Sequence, residues 1–282
     1  MNLDIHHLTF SYRKHPVFQD FQLEIEEGIN VLLGANGSGK TTLFKILTTI
    51  LEPKEGEITL NNIKLGDKNY RRYISYIPQS FNVYPGVRVR EFLKHIGQVK
   101  YGYQGDKMEQ EIQRVAEQAD IGEFLDKKMK ELSEGMRKRV GIAQAIIGDA
   151  VLIIADEPTA GLDPEQRNKF NLTLKRINKG RIVLVSTHII EDIRAFYDNI
   201  ITLSEGKITF QGSYEQLIHS LDGKIFQTTI GIEELDTFQR KHHILSKEYM
   251  EEKVAIKAVM EQPEGNAEPV EPSLTDIWTY YK

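Results

Sequence analysis

The chain has no cysteine among its 282 residues. Disulfides, cysteine-ligated zinc, iron–sulfur clusters and thiol nucleophiles are thereby excluded, and a reducing compartment is the natural setting. Long hydrophobic runs are missing too. The stretch Ala150 to Ala155 is the longest of consequence, against the roughly 20 apolar residues that a membrane-crossing helix needs. The opening MNLDIHHLTF alternates apolar and polar residues, where a secretory signal would carry a basic region followed by an apolar core. The expectation is a protein that stays where it is made. Positive charge is not in excess: 36 Lys plus Arg stand against 41 Asp plus Glu, a formal charge of −5. No global field therefore favours nucleic acid. What is present, 40% apolar and 27% charged residues, is the composition of an ordinary globular protein. The length suits one large domain with a small appendage, or two modest domains.

Period-two patterning predicts strands at Leu3, Ile5, Leu8 and Phe10 and again at Phe21, Leu23 and Ile25, an antiparallel pair at a sheet edge. The apolar run Ile29 to Leu33 leads into Gly34, and Thr41 to Leu47 reads as the helix that follows. Gly56 to Leu60 and Ile74 to Pro78 read as further strands. From about Val89 to Lys128 the pattern is helical, with one stripe at Phe92, Leu93 and Ile96 and another at Ile112, Val115 and Ala116. Strands resume at Val151 to Ala155, Ile182 to Val185, Ile200 to Leu203 and Lys207 to Gln211. Helices near Glu165 to Ile177 and Ile189 to Phe196 separate the first three. Such alternation argues for an α/β core around a largely parallel sheet. Beyond about Gln216, Ser220 to Asp222 reads as a linker and Lys224 to Ile230 and Val254 to Val259 as strands. Ile232 to Phe238 reads as a short helix and Glu261 to Pro272 as a solvated loop. A last helix, Leu274 to Tyr281, has Ser273 and Asp276 placed to cap its start.

The octapeptide Gly34-Ala35-Asn36-Gly37-Ser38-Gly39-Lys40-Thr41 fits G-x-x-x-x-G-K-[ST], between an apolar strand and a helix. Glycines let the backbone curl so that successive N–H groups face phosphate oxygens, and the helix N-terminus adds favourable potential. Lys40 would reach the β and γ phosphates, Thr41 would give its hydroxyl to Mg²⁺, and Thr42 would contact the α-phosphate side. Further on, the strand Val151 to Ala155 delivers Asp156 and Glu157 at its C-terminal end, where α/β proteins place ligands. Asp156 would then hold Mg²⁺, directly or through water, and Glu157 would activate the water that attacks the γ-phosphorus. An acidic turn capping the next helix is the bland reading of the same pair.

Leu132-Ser133-Glu134-Gly135-Met136, just upstream of that strand, resembles the signature of the ATP-binding cassette transporters, and Ser186-Thr187-His188 resembles their histidine switch. With the phosphate loop, the Asp156-Glu157 strand and Gln79 in Tyr76-Ile77-Pro78-Gln79, five motifs occur in the family's order. The resemblance covers about residues 1–218. It implies the P-loop NTPase cassette fold: an α/β core with an antiparallel β subdomain and a helical subdomain at about 80–148. A small C-terminal α/β accessory domain would follow at 219–282. It implies that Tyr12 stacks on adenine, that Gln79 senses Mg²⁺ and the water, and that His188 contacts the γ-phosphate. Gly161-Leu162-Asp163 matches the loop that crosses a dimer interface. It also implies a head-to-tail homodimer, in which the phosphate loop of one copy and Ser133 and Gly135 of the other enclose each ATP. The signature departs from the family's at Glu134, usually glycine, and at Met136, often glutamine. The Glu134 side chain is expected to turn toward solvent or toward Arg137, Lys138 and Arg139.

The family's load is a transmembrane permease, here expected on a separate chain, with the protein cytoplasmic and peripheral on the inner face of the membrane. Phe81, Val83, Tyr84 and Val87 are read as exposed apolar residues that could grip it; closing the insertion onto its own core is their other use. The ending Glu271-Pro272-Ser273-Leu274-Thr275-Asp276-Ile277 resembles the tail of cassettes from exporter-like systems with separate permeases. The leading expectation is a Mg²⁺-dependent ATPase that powers export, with no direct nucleic-acid binding. The alternatives are a soluble cassette ATPase in translation or nucleic-acid repair and a poorly hydrolysing regulatory or resistance module.

Overall fold

A computed structural model describes every residue except Asn82 and Asp149, together with the side chain of Glu191. The chain opens with the hairpin β1 (Asn2–Tyr12) and β2 (His15–Glu26), which turns Leu3, Ile5, Leu8 and Phe10 and Phe18, Phe21, Leu23 and Ile25 inward. Every residue of β3 (Gly28–Leu33) is buried, as befits a central parallel strand. The loop from Gly34 leads directly into α1 (Lys40–Leu47). β4 (Glu55–Leu60) returns to pair with β1, and the two-residue β5 (Ile63–Lys64) completes an antiparallel sheet of order β2-β1-β4-β5. One turn, α2 (Tyr70–Tyr73), precedes β6 (Ile74–Ile77).

The helical insertion follows as α3 (Val89–Tyr101), α4 (Gly105–Gln118) and α5 (Glu134–Ala145). Leu93, Ile112, Val115 and Ala116, from the two predicted stripes, are buried, while Phe92 and Ile96 pack against the same core. Then come β7 (Leu152–Asp156), α6 (Pro164–Ile177), β8 (Ile182–Ser186), α7 (Ile193–Phe196), β9 (Asn199–Ser204) and β10 (Lys207–Gly212). The central sheet has the order β10-β9-β3-β8-β7-β6 and is parallel apart from β10. Period two sorts its residues between two cores: Leu152, Ile154 and Leu184 meet α1 and the antiparallel sheet, whereas Ile153, Ala155 and Val185 meet the helices of the insertion. The helix expected at Ile189 to Phe196 is a 3-10 turn, Ile190–Asp192, followed by the single turn α7.

After α8 (Tyr214–His219) the chain forms β11 (Ile225–Gly231), α9 (Leu235–Lys241), β12 (His243–Met250), β13 (Lys253–Val259) and β14 (Glu268–Pro269). These strands make an antiparallel sheet of order β12-β13-β11-β14 with its own small core around Phe226, Val254 and Ile256. β12 escaped the sequence reading, and β14 lies within the segment expected to be loop only. The final helix α10 (Leu274–Tyr281) leaves that sheet and returns to the cassette. Leu274, Ile277, Trp278 and Tyr281 face Leu33, Ile190, Ile193 and Leu217, and Thr209 Oγ1 donates to Tyr281 O at 3.1 Å. The apolar stripe of this helix is core packing.

The expected cap is present. Ser273 Oγ accepts from Asp276 N at 3.2 Å, and Asp276 Oδ2 accepts from Ser273 N and from Lys257 Nζ, each at 3.0 Å. Burial pushes the Asp276 carboxyl up, but the bonds from Ser273 and Lys257 outweigh it and hold the group below its ordinary value. A carboxyl lowered by folding stabilises fully above its unfolded pKa of about 3.9, and the contribution is lost as pH falls through the folded value. Asp276→Asn is therefore expected to lower the thermal midpoint near neutral pH and to converge with the parent in acid; melts at stepped pH check this. Ser273→Ala should cost about 1 kcal/mol.

Candidate functional site

The segment between β3 and α1 wraps around the Lys40 ammonium. Lys40 Nζ donates to Gly34 O at 2.6 Å and to Ala35 O at 3.0 Å, and the residue is buried. Burial pulls its pKa down, while Glu157 and Asp156 pull it back up. Two glycines are required here. Gly39 has φ of 117°, and at Gly34 a Cβ would come within 2.4 Å of Leu203 O. Ser38 is buried, and its Oγ has no hydrogen-bond partner among the described residues. A phosphate chain fits this loop: it would satisfy that hydroxyl, the N–H groups at the start of α1 and the ammonium. Thr42 is buried in α1, and Asn36 and Gly37 form the exposed turn of the loop.

Asp156 and Glu157 emerge from β7 beside the loop. Asp156 Oδ1 accepts from Ser186 Oγ at 2.7 Å, and its Oδ2 lies 3.5 Å from Thr41 Oγ1 and 3.3 Å from Tyr76 OH. Burial and the neighbouring carboxylate push the Tyr76 phenol up to about 12, so it stays a donor. Thr41, Asp156 and the amide oxygen of Gln79 are hard oxygen donors of the kind Mg²⁺ takes alongside phosphates and water. Glu157 follows at φ of 41°, a left-handed conformation that a non-glycine residue holds at a cost of order 1–3 kcal/mol. Its N–H donates to Ser186 Oγ at 2.9 Å. The kink sets the carboxylate between two other candidate residues: Glu157 Oε2 is 3.3 Å from Gln79 Nε2 and 3.4 Å from His188 Nδ1. Glu157 is 18% exposed and His188 61% exposed, so the histidine is the outward member of the trio.

The remaining candidates sit elsewhere. Ser133 caps α5, its Oγ accepting from Met136 N at 3.3 Å, and is exposed. Gly135 is buried against the Gln166 side chain of α6. Among the described residues, no hydrogen bond or ion pair joins Ser133 or Gly135 to the loop of Lys40. Asp163 is exposed and caps α6, accepting from Gln166 N at 2.8 Å. Tyr12 ends β1, is 42% exposed, and sets its ring edge-on to Phe10 at 5.0 Å.

The model of the family described as ABC transporter matches residues 18–160. The chain belongs to the ABC transporter family. Among its relatives, the uncharacterized ABC transporter ATP-binding protein YxlF of Bacillus subtilis is 30% identical over 267 residues, covering 94% of this chain and 88% of that one. The ABC transporter ATP-binding protein NatA of the same species is 30% identical, with 72% and 84% covered. Among solved structures, the cassette MJ0796 in a dimeric post-hydrolysis state bound to ADP and Pi superposes with a TM-score of 0.66. It is 28% identical, with 75% of this chain and 98% of that one covered. This chain is thus an ABC ATPase subunit with the cassette fold, and ATP binding and hydrolysis are the general activity of the family.

Within this ABC cassette, one sequence expectation changes and another holds. Of the four residues read as an exposed docking group, Phe81 is buried, its ring edge-on to Phe92 at 5.7 Å, and Val83 packs on the same core. Tyr84, at 83% exposure, is the outlying aromatic of the group. Glu134 turns to one of its three expected cations, Arg137, at 2.8 Å, whereas Arg139 pairs with Asp120 at 2.7 Å and Lys138 is buried. Tyr76 and Ser186, which hold Asp156, stand inside the motifs of Gln79 and His188, and that position is the signal in the sequence that points to them.

Proposed function

We propose that this ABC ATPase subunit closes head to tail with a second copy around two ATP molecules and thereby drives an integral-membrane permease carried on another polypeptide, in the direction of export. The observation that carries the reading is the Glu157 carboxylate held between Gln79 and His188 at the mouth of the Lys40 loop. In this reading Lys40, Ser38 and the main chain from Gly34 to Gly39 bind the phosphates, Thr42 meets the α-phosphate side, and Tyr12 stacks on adenine. Thr41, Asp156 and Gln79 would hold Mg²⁺, which supplies charge neutralisation on the phosphate oxygens. Glu157 takes the proton of the attacking water, and His188 orients that water and contacts the γ-phosphate. Ser133 and Gly135, which no described hydrogen bond or ion pair joins to their own loop, would serve the partner's ATP, with Asp163 at the crossing between copies. The pairing of Glu134 with Arg137 offsets the repulsion that a carboxylate there would exert on a phosphate.

No described helix is long and apolar enough to cross a membrane. In this reading the permease is another chain, and the subunit would lie on the cytoplasmic face, with residues 1–218 as the motor and 219–282 as an accessory unit. Export rests on the likeness of the Glu271 to Ile277 ending to tails of exporter-like cassettes. The test is purification from membranes in mild detergent, identification of the companion protein, and reconstitution of the pair in liposomes. A multi-span companion that stimulates ATP hydrolysis is the expected result. A companion lacking membrane spans, or a multi-span one that leaves hydrolysis unchanged, overturns the reading.

A further inference from the structure

Lys138 has no task in the scheme above, yet it is 1% exposed. Its neighbours Arg137 and Arg139 pair with Glu134 and Asp120 at the surface, while the Lys138 ammonium points inward and donates to the main-chain oxygen of Gln79. Six residues further along α5, Gln144 Nε2 donates to Tyr76 O at 2.9 Å. The helix that begins at Ser133 is thus fastened to the main chain at both ends of Tyr76-Ile77-Pro78-Gln79. That segment carries the amide 3.3 Å from Glu157 Oε2. Burying an ammonium is expensive unless it is paired. Here burial pulls its pKa down, opposed by Glu134. An apolar side chain of similar length would fill the same space at lower cost, so packing alone does not account for a lysine.

We infer that Lys138 is a positioning residue that ties the Ser133 helix to Gln79. In the head-to-tail dimer, engagement of Ser133 with one ATP would thereby set the Gln79 amide, and through it Glu157, at the other ATP. The link is a main-chain carbonyl, so a shift of α5 turns the Gln79 peptide itself and re-aims its side chain. Each copy contains one such strut between the two sites, which couples them reciprocally. The inference rests on the dimer proposed above.

Lys138→Met keeps the length and removes the donor; Lys138→Arg keeps a charged donor. In the full-length protein, kcat, KM and the Hill coefficient for ATP are measured for both, with the thermal midpoint as a control. Lys138→Met is expected to lower kcat about tenfold, from loss of one charged hydrogen bond. It should also bring the Hill coefficient from about 2 toward 1, with KM little changed, and Lys138→Arg should restore both. If Lys138→Met cannot be purified folded, Lys138→Gln, too short to span to the carbonyl, takes its place. A folded variant with the parent's kcat and Hill coefficient overturns the inference. So does a loss of kcat that keeps the Hill coefficient and merely tracks the folded fraction. ATP-dependent dimerisation of Glu157→Gln alone is scored separately: its failure removes the dimer, whereas its success with an unaltered Lys138→Met removes only the strut.

Discussion

Glu157→Gln is expected to slow ATP turnover by a factor on the order of 10² to 10⁴, the usual worth of a positioned general base, while ATP stays bound. The amide is isosteric with the carboxylate, so the kinked backbone at φ of 41° and the Ser186 Oγ bond to its N–H have no reason to change. What is lost is the acceptor for the proton of the attacking water. A negative charge close to the incoming γ-phosphate is lost as well, so ATP affinity should hold or rise. Undivided ATP would then keep two copies together, and Mg–ATP should move the protein from monomer to dimer in size-exclusion chromatography with light scattering. Phosphate release in a single-turnover assay gives the rate. Turnover within about threefold of the parent would reassign the base, since a general base is worth far more than that. His188, 3.4 Å away, is the obvious heir.

Much of this site is legible before any coordinates, because its chemistry is carried by contiguous words. The phosphate loop is eight consecutive residues between a strand and a helix, and Asp156-Glu157 ends an apolar run. Both are contiguous in the fold as in the chain, and Gln79 and His188 each come within 3.4 Å of Glu157. Parallel strands buried on both faces announce themselves as apolar runs, and β3, β7 and β8 are of that kind. β12 is not. Among the described residues it pairs with β13 alone, buries only Leu245, and exposes the row from Ser246 to Met250, so alternation has nothing to mark it. Lys138 was hidden for the opposite reason. In a run of three cations, the bland expectation is a solvated face, and only the rotation of about 100° per helical residue decides which of them is turned inward.

Lys40→Ala is expected to raise the Kd for ATP by roughly 10²-fold or more, since charged hydrogen bonds are worth about 1.5–3 kcal/mol each. Lys40 is 7% exposed, and its ammonium is satisfied by the carbonyls of Gly34 and Ala35. Asp156 and Glu157 both act on it electrostatically. Without it, the phosphates would enter a pocket whose nearest fixed charges are two carboxylates. Arginine should not rescue, because its broad fork needs more room than a loop closed by Gly34 and Gly39 allows. The folded state itself should lose little, as deleting a buried ammonium also deletes its desolvation cost. The thermal midpoint without nucleotide should therefore stay close to the parent's, while the rise produced by saturating ATP, which follows RT ln(1 + [L]/Kd), should all but vanish. Titration calorimetry supplies the affinity. An alanine variant that binds ATP within about threefold of the parent, less than a single charged hydrogen bond accounts for, would mean that the phosphates lie somewhere other than this loop. The role given to Glu157 would then lose its substrate.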